Sequence, residues 1–442
     1  MIRTVSARNR MSVSSSPHSH AHHMSKRYNS KQAMLIPSQL NTLLQTDKFV
    51  KYHYSSLGCD LVKLKSYPRF KHLIVGGGGG IVKELVFDLT SFIRKELTDS
   101  KNDSSQQLKD FLTSNGSILN SEDAMTFSDH HLALRNWLYI IFGYLSQAYR
   151  EDEVEKVLDK IIDMYLAARN KRLFVRSASI PDAKDSAVLE LIKNYYETVS
   201  INYDKLYNID ESRRYIMFHE TQDMKVYLPP LPKVHNRELL VKALMHKEYY
   251  RMLLIPKHSF AKKLTELGYD LDPREYSVLK YELSFLDGLG DLFLAHESSK
   301  LIYDLCKEGT KYVSNNTYHM LRTILATNTL LSKLTVTYNL HHGLDDAVVA
   351  DRLANDYLLC LHTGRLHPDM DADETRVYEE EFLGDYFESY MAALVLEQPE
   401  VAERFIAEIY SSILQVITKV LPPDVSYRIW TTGILGRNLH HK

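Results

Sequence analysis

After Asp47, apolar residues recur at spacings of three and four through most of the chain, which is the period of amphipathic helices and not the alternation of strands. Val82–Leu97, His130–Arg150, Val154–Arg169 and Ala187–Val199 each carry the pattern. Ser121, Asp123, Ser128 and Asp129 serve as helix starts, and loops rich in Ser, Asn and Asp, such as Asp99–Gln106, separate the segments. The pattern predicts a helical bundle over residues 47–228 with a core of its own. Pro229-Pro230-Leu231-Pro232 then intervenes, and three prolines in four positions exclude helix and predict an extended linker. Helical periodicity resumes over residues 229–425 and ends with the apolar stretch Val401–Val420 before Pro422-Pro423, leaving a tail over 426–442. The expected fold class is therefore all-α, in two helical domains.

Four carboxylates interrupt the apolar pattern of the second domain. Asp287 and Asp291 lie in Leu286-Asp287-Gly288-Leu289-Gly290-Asp291-Leu292-Phe293, and Asp385 and Glu388 in Gly384-Asp385-Tyr386-Phe387-Glu388-Ser389-Tyr390. Spacings of four and three place each pair on one face of a helix. Like charges on one face repel, and burial among Leu and Phe adds a desolvation cost, so such a pattern calls for cations between the carboxylates. Mg²⁺ is the natural partner of all-oxygen ligands, with Mn²⁺ as a substitute.

Four ordered blocks resemble the nuclease domain of ribonuclease III. Ser284-Phe285-Leu286-Asp287-Gly288-Leu289-Gly290-Asp291 aligns without gaps on the first acidic box of that family and keeps its Leu-Gly-Asp core. Leu239–Tyr249, with Ala243-Leu244-Met245-His246-Lys247-Glu248-Tyr249, is similar to the family's opening helix and the His-containing run that ends it. Met320–Asn328 with Tyr338-Asn339-Leu340-His341 is similar to the helix pair after the first box, and Asp385-x-Phe387-Glu388-x-Tyr390 to the second box. There are departures. Ser284 stands where the family has Glu, Asp287 replaces a second Glu, Gly288 replaces Phe, and Asn315 falls near another acidic position. Glu282 offers a second register, at the expense of Leu-Gly-Asp.

The resemblance implies a ribonuclease III-type endonuclease domain preceded by a separate helical domain. It implies Asp287, Asp291, Asp385 and Glu388 as catalytic metal ligands, with Asp291 and Glu388 the strongest assignments, in two-metal-ion hydrolysis of double-stranded or structured RNA. It also implies pairing of two such domains along the first-box helix, as a homodimer or as a heterodimer with another family member, each domain cutting one strand. A helical domain and a Pro-rich entry ahead of the nuclease domain are similar to the budding-yeast nuclear member of the family. After Pro423 too few residues remain for a double-stranded-RNA-binding module. The alternative is a degenerate, RNA-binding component of the large subunit of the mitochondrial ribosome, where family-like proteins with decayed boxes occur.

Composition bears on the partners. The net charge of −2 argues against broad nonspecific RNA binding, and three cysteines, Cys59, Cys306 and Cys360, are too few and too scattered for a disulfide framework or zinc site. No apolar run reaches membrane-spanning length, so no membrane insertion is expected. Met1–Thr46 contains no Asp or Glu but carries Arg3, Arg8, Arg10, Lys26, Arg27 and Lys31 among serines. That is the composition of a mitochondrial presequence, which predicts a disordered residue 1–46 segment and a matrix location; the nucleus is the alternative. His18, His20, His22 and His23 in this segment are read as incidental. Gly76–Gly80 after Leu73-Ile74-Val75 looks like a phosphate-binding loop, but the last glycine of that motif would fall at Ile81 and no Lys-Ser/Thr follows, so a flexible loop is expected.

Overall fold

The computed structural model describes residues 48–69, 183–217, 225–308 and 315–420, together with positions 139, 142–143, 146, 158–159 and 162–163. The expected presequence, the helices at Val82–Leu97 and most of His130–Arg169, the Gly76–Gly80 loop and the tail lie outside these residues. The rest is helical: α1 (Lys48–Ser66), α2 (Ala183–Thr198), α3 (Tyr203–Tyr207), α4 (Arg237–Ala243), α5 (Tyr249–Leu253), α6 (Ser259–Glu266), α7 (Ser277–Glu308), α8 (Asn315–Leu325), α9 (Asn328–Thr337), α10 (Ala347–Arg352), α11 (Leu359–Thr363), α12 (Ala372–Glu397) and α13 (Pro399–Val420). Four short strands form two antiparallel pairs, β1 (Ser200–Ile201) with β4 (Leu344–Asp345) and β2 (Tyr215–Met217) with β3 (Lys225–Tyr227).

α12 is the axis of the fold. Its start is fixed by a capping box in which Asp371 accepts from the Glu374 backbone and Glu374 reaches back to Asp371. From Phe382 to Leu394 every residue is buried, because α7, α9, α4 and α13 pack around it on all sides. A helix that is covered all round has no solvent face on which to place charge, which makes the two carboxylates in this span exceptional.

α7 and α12 cross with their backbones in contact. A Cβ on Gly290 would lie 1.9 Å from the carbonyl oxygen of Glu388, so only glycine allows this approach. The Leu-Gly-Asp core of the first box thus has a local packing cause. Gly288 has a different one. α1 lies along α7, Tyr67 stacks on Phe285 with ring centroids 5.3 Å apart, and a Cβ on Gly288 would come within 2.3 Å of the Tyr67 hydroxyl. Buried Asp60 of α1 accepts from Ser299 Oγ (2.9 Å) and from Arg322 Nη2 (2.7 Å), tying α1 to α7 and α8. The face of α7 expected to pair with a second copy is therefore covered by the chain's own α1.

The expected division at residue 228 is corrected by the packing. Val188, Ile192, Tyr196, Ile201, Leu206, Ile216, Val226 and Leu228 belong to the same core as the residues that follow, and β1 pairs with β4 across that boundary. The Pro-rich stretch is neither helix nor strand, and it is strapped to the core: Leu228, Leu231 and Val234 are buried, Tyr338 donates to the Pro229 carbonyl (2.8 Å), and Tyr390 donates to that of Pro232 (2.6 Å). Prolines cannot donate backbone hydrogen bonds, but their carbonyls still accept, which lets such a segment be anchored by tyrosines.

Candidate metal centre

Close approach of α7 and α12 at Gly290 brings Asp287, Asp385 and Glu388 together, each offering a carboxylate oxygen within 4.8 Å of the others. Asp385 and Glu388 are 8% and 7% exposed. Asp287 is less covered, so solvent reaches the cluster from the α7 side. Asp291, one turn further along α7, is exposed and stands beside the cluster instead of inside it. The sequence spacing put both aspartates on one face; only the first joins Asp385 and Glu388 in the packed structure. Asp291 remains near enough to act on Glu388, and with Asp287 it adds to the burial that pushes the Tyr67 hydroxyl up to about 12.

The turn after α4 supplies two residues that motif spacing alone did not assign to the site. Lys247 Nζ bridges Asp385 Oδ2 (2.7 Å) and Asp287 Oδ2 (3.2 Å). His246 Nε2 lies 2.7 Å from Asp385 Oδ2, while His246 Nδ1 accepts from the Glu248 backbone at 3.0 Å. With Nδ1 occupied as an acceptor, Nε2 carries the proton and donates to Asp385. The ring is held by Phe382, its centroid 3.8 Å away, and by Tyr386. The signal available in the sequence was a His-Lys-Glu run directly after the apolar stretch Leu239–Met245.

The three carboxylates divide in charge state. Burial raises Asp385, but His246 and Lys247 outweigh it and hold the carboxyl below its usual range. Glu388 is pushed well above its usual range by burial and then by Asp287, to which it is hydrogen-bonded. Asp287 is also raised, by burial and by Asp385. These shifts favour a proton between Glu388 and Asp287 and an ionised Asp385 against Lys247. A shared proton and the Lys247 ammonium both reduce the repulsion among the acids.

Other sequence-marked positions lie apart. Glu282 pairs with Lys242 (2.6 Å), and the Ser284 hydroxyl donates to the Tyr281 carbonyl within its own helix. Asn315 opens α8, and its side chain is outside the described residues. No family profile, no curated protein and no solved structure matches this chain. No helix among the described residues is long and apolar enough to cross a membrane.

The donor set fits a hard divalent cation. With all three acids ionised, one ammonium among three carboxylates leaves two negative charges, which one Mg²⁺ or Mn²⁺ neutralises. Binding would release the proton shared by Glu388 and Asp287.

Proposed function

We propose that the chain is an endoribonuclease that hydrolyses phosphodiester bonds in double-stranded or structured RNA with a divalent cation, Mg²⁺ or Mn²⁺, held by Asp287, Asp385 and Glu388. The observation that carries the reading is the convergence of these three acids, from helices nearly a hundred residues apart, at a solvent-reached edge of an otherwise apolar helix crossing. When bound, the cation supplies a water of lowered pKa and stabilises charge on the phosphoryl oxygens.

The chain's own groups have distinct tasks in this reading. His246 and Lys247 fix Asp385 as a permanent carboxylate anchor. Glu388 and Asp287 would hold the cation once the proton between them is released. Asp291, exposed on the next turn of α7, faces the approach and is placed to hold the hydration shell of the cation. Lys247 takes the part of a second cation: its ammonium already lies among the carboxylates and meets an incoming phosphate with positive charge, so one bound ion and one lysine replace the expected pair of ions. Pairing with a second copy along α7 is not part of the proposal, because α1 covers that face.

Lys247 also supports the second reading, a nonenzymatic RNA-binding component of the mitochondrial ribosome, since it gives Asp287 and Asp385 a partner without metal. Purified full chain incubated with duplex RNA, with Mg²⁺ or with chelator and beside Asp385→Asn, separates the two. Cation-dependent cleavage lost in the variant supports the nuclease. An inert protein that sediments entirely with large mitochondrial ribosomal subunits sinks it. The matrix location is tested by the same fractionation.

A further inference from the structure

Next to Tyr386 of α12 the chain builds a second cluster of ligand-type side chains. After α9, Asn339 adopts a left-handed backbone (φ 53°) and turns the chain into a single 3₁₀ turn, Leu340–His342. Twenty residues later α11 carries His362 back over this turn. One ring nitrogen from each of His341, His342 and His362 lies within 4.8 Å of the others. Ring centroids are 4.0 Å apart for His341 and His342, 5.6 Å for His342 and His362, and 6.2 Å for His341 and His362.

Three features distinguish this cluster from a chance grouping of imidazoles. His341 is only 9% exposed, and its Nδ1 is buried with no hydrogen-bond partner, an arrangement that costs about 1–3 kcal/mol unless something binds the lone pair. The three rings line a small cavity of about 50 Å³, room for an ion and a water. Asp346, which also lines the cavity, is already committed: Oδ2 accepts from Tyr195 (2.8 Å) and pairs with His258 (3.0 Å), and Oδ1 caps α10 by accepting from Val348 and Val349. Tyr386 also lines the cavity with a buried, unpartnered hydroxyl, but burial favours its neutral phenol, a weak ligand, so the ligating donors are the three nitrogens. Nitrogen donors select zinc-like transition ions and not the hard cations of the acidic cluster.

We propose that His341, His342 and His362 form a transition-metal site of the zinc class, with a fourth coordination position open to water at the exposed His362 edge. Tetrahedral zinc places its nitrogens roughly 3.4 Å apart, as follows from Zn–N bonds of about 2.0–2.1 Å, so the rings close on the ion by small side-chain rotations. Burial, and then the neighbouring imidazoles, lower His341 and His342, the latter to about 4, so both present lone pairs at neutral pH without proton competition. The bound ion ties the turn after α9 to α11 and so braces the segment between β4 and α12. This site is independent of the nuclease reading.

The test uses Co²⁺ alone as probe, in the full chain with His18, His20, His22, His23, His440 and His441 changed to Ser so that terminal imidazoles do not report. Excess Mg²⁺ is present to fill the acidic cluster. The expected result is one Co²⁺ per chain with the visible absorption of four-coordinate cobalt. Its affinity should fall ~10-fold or more in His362→Ala, an exposed position, and also in His342→Gln, with no change in the exposed control His319→Ala. Zn²⁺ should raise the melting temperature of the parent and of neither ligand variant. A spectrum indifferent to both ligand variants, or no bound cobalt in the parent, overturns the proposal.

Discussion

The acidic cluster and the histidine cluster lie a single residue apart on α12, where Asp385 belongs to one and Tyr386 lines the cavity of the other, yet they are held ready in opposite ways. The acids repel one another and are quieted by an internal proton and by Lys247. The imidazoles are neutral and leave a buried nitrogen without a partner. The first arrangement concentrates negative charge, which the proposed divalent cation would relieve; the second leaves a lone pair unsatisfied. Burial alone does not define a metal site: what it does to the charge of the ligands decides which ion fits.

The comparison breaks most visibly at Asp385. Asp385→Asn is expected to lower cation-dependent cleavage of duplex RNA by ~1000-fold, about 4 kcal/mol, while leaving the cobalt spectrum of the histidine cluster intact. Rate measurements beside the optical titration check both halves, and loss of the cobalt signal would show that the clusters are not separable. Next in size is Gly290→Ala. The added methyl meets the Glu388 backbone, so denaturant unfolding should show a loss of at least about 2 kcal/mol, whereas Gly384→Ala, 3.2 Å from the Asn328 side-chain oxygen, should cost far less.

Lys247→Met removes the internal cation. Mn²⁺ binding, followed by calorimetry, should tighten ~10-fold, even as cleavage falls, because the ammonium no longer competes for the carboxylates. Weaker Mn²⁺ binding would mean that the lysine organises the ligands more than it neutralises them. The smallest effect belongs to Glu388. Its folded-state carboxyl is raised, so its contribution to stability is complete below the ordinary carboxylate range and is lost as pH rises through the raised value. Metal-free protein should therefore lose melting temperature toward neutral and alkaline pH, and Glu388→Gln should flatten that slope and gain about 1 kcal/mol at pH 8. Mn²⁺ affinity runs the other way, rising with pH in the wild type and not in the variant.

Much of this was legible in the residues. The helical period at Ala187–Val199 and Val401–Val420 and the helix-free Pro229–Pro232 stretch are local properties, and the chain forms them where the pattern places them. The two apolar stretches marked all four acids, with Asp291 and Glu388 as the strongest assignments, whereas the group that converges is Asp287, Asp385 and Glu388. What spacing could not give was direction. Asp291 shares a helical face with Asp287, but only Asp287 joins Asp385 and Glu388, and Asp291 is exposed. Lys247 and His246 enter the site because a turn, not a helix, follows Ala243.

By itself the sequence determined the helices, the stretch that could not be helical and the acids that no apolar core explains, because each rests on neighbours within one or two turns. Tertiary structure alone decided that residues 183–228 share the core beyond the prolines, that α1 covers α7, and that His362 meets His341 and His342, some twenty residues earlier, over one cavity. Those outcomes depend on how surfaces far apart in the chain fit together, and no local periodicity encodes the fit.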